Sequence, residues 1–131
     1  MQSNQQSKSN SCQTNVLFDL EKEKIISFFS LSAYSINKED VSDQLSSPVP
    51  KIPAILIGRL AVDKNYRNQG YGFRTLREAM VKIKSISLQV GVQIVVVDAL
   101  NEKAAAFYMH HGFVGLNDFP QKLFLSVSTI P

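Results

Sequence analysis

The sequence predicts an α/β fold: a mixed, mostly antiparallel central sheet built around one parallel β-α-β crossover. Three observations predict it. Short runs rich in β-branched and aromatic residues (VLFDL, IISFFSLSAYSI and AILIGRLAVD) fill the first half of the chain. Between Phe73 and Val90 the apolar residues return with helical period. The run VQIVVVDAL comes directly after that stretch, and continuous apolarity suits a strand buried in mid-sheet.

Each element follows in order. Met1 to Asn15 is rich in Ser, Asn and Gln and has no apolar period, so a disordered polar arm is expected there. Order is expected from Val16 to the C-terminus as a single domain. VLFDL is a strand, EKEK a hairpin turn without the usual glycine, and IISFFSLSAYSI a second strand. Asn37 to Pro53 carries three prolines, which break helix and ladder alike, and is expected to be a long surface loop. AILIGRLAVD is a strand whose Gly58 marks a bulge or a close backbone approach.

On the long helix, Phe73, Leu76, Ala79, Met80, Ile83, Ile86 and Val90 share one arc, and Gly91 stops it. Asn101 caps a short helix, EKAAAFYMHH, that Gly112 ends. Phe113 and Val114 open a short strand, and KLFLSVSTI is the last one. A strand, a helix and a strand around Gly70 imply a right-handed crossover.

Composition narrows the possibilities further. A chain of 131 residues can bury one core. The net charge of +3 permits an anionic partner without requiring one. A lone cysteine, Cys12, can build neither a disulfide framework nor a zinc site, and suits a reducing, cytoplasmic setting. No run is long and apolar enough to span a membrane, and the polar start lacks the apolar region of a secretory signal. The adjacent His110 and His111 lack metal-ligand spacing, so no metal is expected; they suit a helix C-terminus.

The segment that carries chemistry is Arg67-Asn68-Gln69-Gly70-Tyr71-Gly72, placed between a buried strand and an amphipathic helix. The first turn of a helix directs its N–H groups outward along a positive dipole. Glycines without a Cβ let a phosphate approach them. The dinucleotide fingerprint needs a third glycine where Thr75 stands, and the Gly-Lys-Ser/Thr of a nucleoside-triphosphate loop is absent. Taken alone, the turn is either an anion cradle or a tight strand-to-helix connection.

Arg-x-x-Gly-x-Gly after a strand ending Leu-Ala-Val-Asp, with VVVDA, Asn101 and AAAFYMHHGF further on, resembles the signatures of the GCN5-related N-acetyltransferases (GNAT). The resemblance runs from about Val16 to Ile130 and is most specific from Gly58 to Phe113. Within that family, IGRLAVDKNYRNQGYG, FYMHHGF and the closing KLFLSVSTI are similar to the acetyltransferase toxins of type II toxin–antitoxin systems.

The resemblance implies an acetyl-CoA-dependent enzyme. The strand holding Leu60, Ala61 and Val62 would pair with the pantetheine arm, a backbone N–H near Leu60 would face the thioester, and Arg67 to Gly72 would cradle the pyrophosphate. It makes Tyr108 the acid that protonates the departing thiolate, with Phe107 filling the core in its place. Asn101 either contacts the cofactor or only caps its helix. Asp98 takes no role.

The acceptor implied is a primary amine, in the toxins the amino acid of aminoacyl-tRNA. The partners implied are that tRNA and a small DNA-binding antitoxin. Arg59, Lys64, Arg74, Arg77 and Lys84 form the basic set that either holds tRNA phosphates or is a solvated surface. Family members carry a strand and two helices ahead of the segment that is VLFDL here, and those helices wall the acceptor site. The polar start offers neither strand nor helix, so a truncated domain is expected, with apolar surface open to dimerisation. Alternative readings are a non-catalytic acetyl-CoA-binding or partner-binding remnant, and an enzyme acting on a small amine or a protein.

Overall fold

The computed structural model describes residues 2–8, 12–38, 50–116 and 119–131. The described elements are β1 (Gln2–Lys8), β2 (Gln13–Asp19), β3 (Lys24–Asn37), β4 (Lys51–Val62), α1 (Tyr71–Ser87), β5 (Ile94–Asp98), α2 (Glu102–His110), β6 (Val114–Leu116) and β7 (Phe119–Ser126). The mixture of a mostly antiparallel sheet with two helices is the predicted α/β class. Two compact units divide the chain: residues 1–32 with 57–82, and residues 33–56 with 83–131. Most of the loop expected between Asn37 and Pro53 lies outside the described residues.

In the first unit the strand order is β1-β2-β3-β4. β1 runs antiparallel to β2, from Gln2 opposite Asp19 to Lys8 opposite Gln13. Over residues 2–8 and 13–15 this corrects the expectation of a disordered arm, and of no strand ahead of VLFDL; the rest of that expected arm, except Cys12, lies outside the described residues. The ladder is made by backbone N–H and C=O groups, which Ser, Asn and Gln carry as well as any residue does. A polar sequence therefore hides a strand whose partner is supplied by the chain itself.

β2 pairs antiparallel with β3, with an irregularity between Leu17 and Phe18. The turn between them has Glu23 at φ 53°. Asp19 replaces the missing glycine signal, because its Oδ1 accepts the N–H groups of Glu21 (3.1 Å) and Lys22 (3.3 Å). Leu17, Ile26 and Tyr66 form the core here, with Val62 and Tyr71 packed against them. α1 buries Thr75, Leu76 and Ala79 in this unit, whereas Phe73 is 53% exposed and leaves the predicted arc.

In the second unit the order is β4-β5-β7-β6, with the end of β3 beside β4. β7 is antiparallel to both neighbours, Asp98 standing opposite Lys122 and Val114 opposite Phe124. Ile94 to Val97 are wholly buried, as the continuous apolar run predicts. Ile94 and Val96 join a core of Ile36, Ile52, Ala54, Leu116 and Phe124.

β4 starts at Lys51, so Pro53 lies inside a strand. It still serves the ladder as an acceptor, taking the Gln93 N–H at 3.0 Å, since proline loses only its donor. α1 ends at Ser87, and Val90, predicted on its apolar arc, is 54% exposed beyond it. β7 ends at Ser126, and the expected strand through Ile130 turns instead into a 3-10 turn at Val127–Thr129 that buries Ile130.

Candidate functional site

The first unit brings together Leu60, Ala61, Val62 and Arg67 to Gly72. β4 changes character at Gly58. Ile52, Ala54, Ile55 and Ile57 are buried, whereas Gly58, Arg59 and Ala61 are exposed and Leu60 and Val62 half-buried. The close approach expected at Gly58 is present: a Cβ there would stand 3.1 Å from Ser30 Oγ, which also accepts the Arg59 N–H at 3.0 Å. The end of β4 thus offers open backbone.

The turn after β4 is tethered from several sides. Asp63 donates its N–H to Ile26 O (2.8 Å), and its side chain accepts the Asn65 N–H (2.9 Å). A 3-10 turn over Lys64–Tyr66 follows. Arg67 Nε donates to Val62 O at 3.4 Å, and Gln69 Nε2 to Asn65 O at 3.3 Å, so these two side chains fold back on their own loop.

Asn68 has φ 62° and Gly70 φ 85°. Asparagine tolerates the left-handed region better than most residues, and glycine has no Cβ to oppose it. Gly70 O accepts the Arg74 N–H at 3.1 Å, which makes Gly70 the residue that leads into α1. Apart from Gly70 and its two chain neighbours, no heavy atom among the described residues lies within 4 Å of where a Gly70 Cβ would be. The mouth of the turn is open, and the positive end of α1 faces it.

Two contacts that position this turn were invisible in the sequence. Tyr66 donates its hydroxyl to Asp19 Oδ2 at 3.0 Å, across 47 positions. Burial pushes the Asp19 carboxyl up, but the Lys22 N–H, the Tyr66 hydroxyl and the Glu21 N–H together hold it below its ordinary value. Tyr66 is pushed up, by burial first and then by Asp19. The Tyr66 ring also meets Tyr71 edge-on at 5.7 Å.

The second contact is Thr75 Oγ1 with Ser27 Oγ at 2.7 Å, both residues buried. Thr75 stands where a dinucleotide fingerprint would have its third glycine. Here the helix meets the strand through a hydroxyl pair.

The second unit places Asn101 and Tyr108 on one helix. Asn101 Oδ1 accepts the Ala104 N–H at 2.8 Å and so caps α2. The helix closes with Phe113 N–H on Tyr108 O and Gly112 N–H on Met109 O, with Gly112 at φ 98°. Tyr108 is 6% exposed and Phe107 half-buried, the reverse of the expected division between them. The Tyr108 ring stands edge-on to Phe113 at 5.4 Å and to Phe107 at 5.3 Å. Helical position alone does not distinguish two adjacent aromatics; Phe113, which follows the helix, decides which one is covered.

Desolvation pushes the Tyr108 hydroxyl up to about 12. Among the described residues the hydroxyl has no hydrogen-bond partner. His111 is pulled down, by burial first and then by His110, which opposes the dipole-favoured charge expected of it. No group of three His, Cys, Asp or Glu residues stands together among the described residues.

The basic residues divide. Arg59, Lys64, Arg74 and Arg77 are exposed in the first unit. Lys84, expected on the outer arc with them, donates to Val127 O at 3.4 Å in the second unit. No described helix is long and apolar enough to cross a membrane.

Residues 15–115 match the model of the acetyltransferase (GNAT) domain. The chain is 28% identical to the probable toxin TacT of Sinorhizobium fredii, over 97% of this chain and 76% of that one. It superposes with a TM-score of 0.85 and 28% identity on AtaT complexed with acetyl-methionyl-tRNAfMet, covering 91% of this chain and 73% of that one. A mutant AtaT toxin bound to the C-terminus of the antitoxin AtaR and acetyl-CoA matches with a TM-score of 0.77 and 28% identity, over 91% and 70% of the two chains.

Proposed function

The chain belongs to the acetyltransferase (GNAT) domain family, and on that premise we propose that it moves the acetyl group of acetyl-CoA to the amino acid of an aminoacyl-tRNA, blocking translation as a toxin does. The single observation that carries this is the turn open over Gly70 at the positive end of α1, beside the exposed end of β4. That is a place for a pyrophosphate with an extended arm behind it. The tRNA acceptor rests on the likeness to AtaT in its complex with acetyl-methionyl-tRNAfMet.

The residues fit acetyl-CoA at the level of shape and dipole. Backbone groups of Leu60, Ala61 and Val62 would take the pantetheine arm. Arg67, Asn68, Gln69, Gly70, Tyr71 and Gly72 would hold the pyrophosphate, chiefly through backbone. Arg67 and Gln69 serve by fixing the loop, since their side chains are already engaged with it. Asn101 uses its side-chain oxygen for the cap, which leaves its amide nitrogen as the side-chain donor for a ligand.

Acetyl-CoA supplies the activated acetyl group as a thioester. The acceptor amine must lose its proton before it attacks, and an α-amino group of pKa roughly 8 is appreciably neutral near pH 7. As the C–N bond forms and the C–S bond breaks, the sulfur needs a proton. Tyr108 gives it, and the proton released by the new amide nitrogen restores the tyrosine through water. A hydroxyl held near pKa 12 stays protonated throughout the working range. By the family resemblance, a backbone N–H near Leu60 would stabilise the oxyanion.

The same reading gives the chain a cytoplasmic place, a second copy of itself and a small DNA-binding antitoxin as partners. The exposed Arg59, Lys64, Arg74 and Arg77 are its tRNA-facing cations, with affinity that falls steeply as salt rises. The test is transfer of labelled acetyl to charged tRNA, run beside free amino acids, polyamines and a lysine-rich protein. Label on the charged tRNA supports the proposal. Label only on a small amine or the protein moves the acceptor, and no label despite acetyl-CoA binding marks a non-catalytic module.

A further inference from the structure

A cleft in the second unit belongs to none of the groups above. Its cavity of about 260 Å³ is lined by residues that include Tyr34, Ile36, Asn37, Lys51, Leu116 and Lys122. Ile36 and Leu116 come from the hydrophobic core and give it an apolar floor. Lys122, on β7, reaches two partners at once: Tyr34 Oη on β3 at 2.8 Å and Asp98 Oδ1 on β5 at 3.2 Å. The ammonium also lies 5.1 Å from the centroid of the Tyr34 ring.

The donors do not balance within the protein. An ammonium has three N–H groups, and two partners leave one. Tyr34 accepts from Lys122 and keeps its own hydroxyl proton to give. Among the described residues neither spare donor has an acceptor. The Tyr34 hydroxyl raises the Lys122 ammonium above the ordinary lysine value, burial works against it, and Asp98 adds to the rise, so the charge persists through neutral pH.

A structural role alone explains this poorly. The ion pair is partly open, with side-chain exposures of 28% and 41%, and such pairs contribute little to stability. Lys51, exposed at the mouth, adds a second cation. With Asp98 offsetting Lys122, one net positive charge is left, which suits a singly charged anion better than a phosphate dianion.

We propose that this cleft binds a small carboxylate that carries an apolar group. The carboxylate takes the spare protons of Lys122 and Tyr34, and the apolar group lies on Ile36 and Leu116. The cavity is below the roughly 300 Å³ of drug-sized pockets, so the ligand is small. The inference does not depend on the transferase reading, because it concerns different residues and its test contains no transfer step.

The test is calorimetric titration of the full chain with N-acetyl-leucine, in excess coenzyme A to occupy any site for that molecule. Saturable binding is expected. The uncharged N-acetyl-leucinamide should bind roughly tenfold more weakly, as loss of a charge-assisted hydrogen bond implies. Lys122→Met should weaken N-acetyl-leucine by a similar factor, and Tyr34→Phe by less. If Lys122→Met fails to fold, Lys51→Gln decides: weaker carboxylate with unchanged amide supports the site, and unchanged affinity for both overturns it. No saturable binding, equal binding of acid and amide, or tighter binding of inorganic phosphate would each overturn the proposal.

Discussion

The turn after β4 and the helix α2 are built on opposite principles. The turn is exposed and held by polar tethers: Asp63 to Ile26, Arg67 to Val62, Gln69 to Asn65 and Tyr66 to Asp19. Helix α2 presents one hydroxyl from an aromatic cluster in which Tyr108 and Phe113 are buried and Phe107 half-buried. The first arrangement fixes a backbone shape and leaves its mouth open to a large anionic ligand. The second keeps one proton on one oxygen by excluding water around its ring. On the proposed function, binding belongs to the turn and chemistry to the helix, so the two should fail separately.

The largest effect that would sharpen this division is Tyr108→Phe. It removes one oxygen and keeps the ring packing against Phe113. Turnover should fall about 10²- to 10⁴-fold, the usual worth of general acid help, while acetyl-CoA affinity measured by titration stays the same. Equal loss of binding and turnover would break the comparison.

Next in size is the pH dependence. Below the acceptor's pKa of roughly 8 the neutral amine fraction rises about tenfold per pH unit, so kcat/KM should climb and then level. Tyr108 is raised to about 12 by desolvation, so its protonated form persists and no descending limb should appear before that pH. A fall in rate near pH 9 to 10, where an ordinary tyrosine loses its proton, would place the hydroxyl in water.

Gly70→Val tests the turn from the other side. A side chain at φ 85° is strained by about 1–2 kcal/mol and fills the open mouth. Acetyl-CoA affinity should drop by about tenfold, the equivalent of 1.4 kcal/mol, with turnover at saturation little changed. The smallest expected effect is Asn101→Ala, which removes the α2 cap at a cost of about 1 kcal/mol in thermal or urea unfolding. A much larger loss of acetyl-CoA affinity in that variant would show that Asn101 touches the ligand as well.

The elements with strong local signals were legible in the sequence. The continuous run Ile94 to Val97, the Asn101 cap and the Gly112 stop are all set by neighbours in the chain or by backbone geometry. What escaped depends on partners far away. β1 is polar throughout and becomes a strand only because β2 supplies its ladder. The Asp19–Tyr66 and Ser27–Thr75 contacts join residues nearly fifty positions apart, where no spacing rule applies. Lys84 has the helical position of an outer residue, yet a carbonyl of Val127 captures its flexible end.

On the proposed function, the turn at Arg67 to Gly72 and the end of β4 form the acetyl-CoA site. The most direct measurement is the backbone amide NMR spectrum during titration with acetyl-CoA. Saturable shifts concentrated at Leu60 to Val62 and Arg67 to Gly72 are expected. Saturable binding that leaves those amides unmoved, or no binding at all, would contradict that assignment.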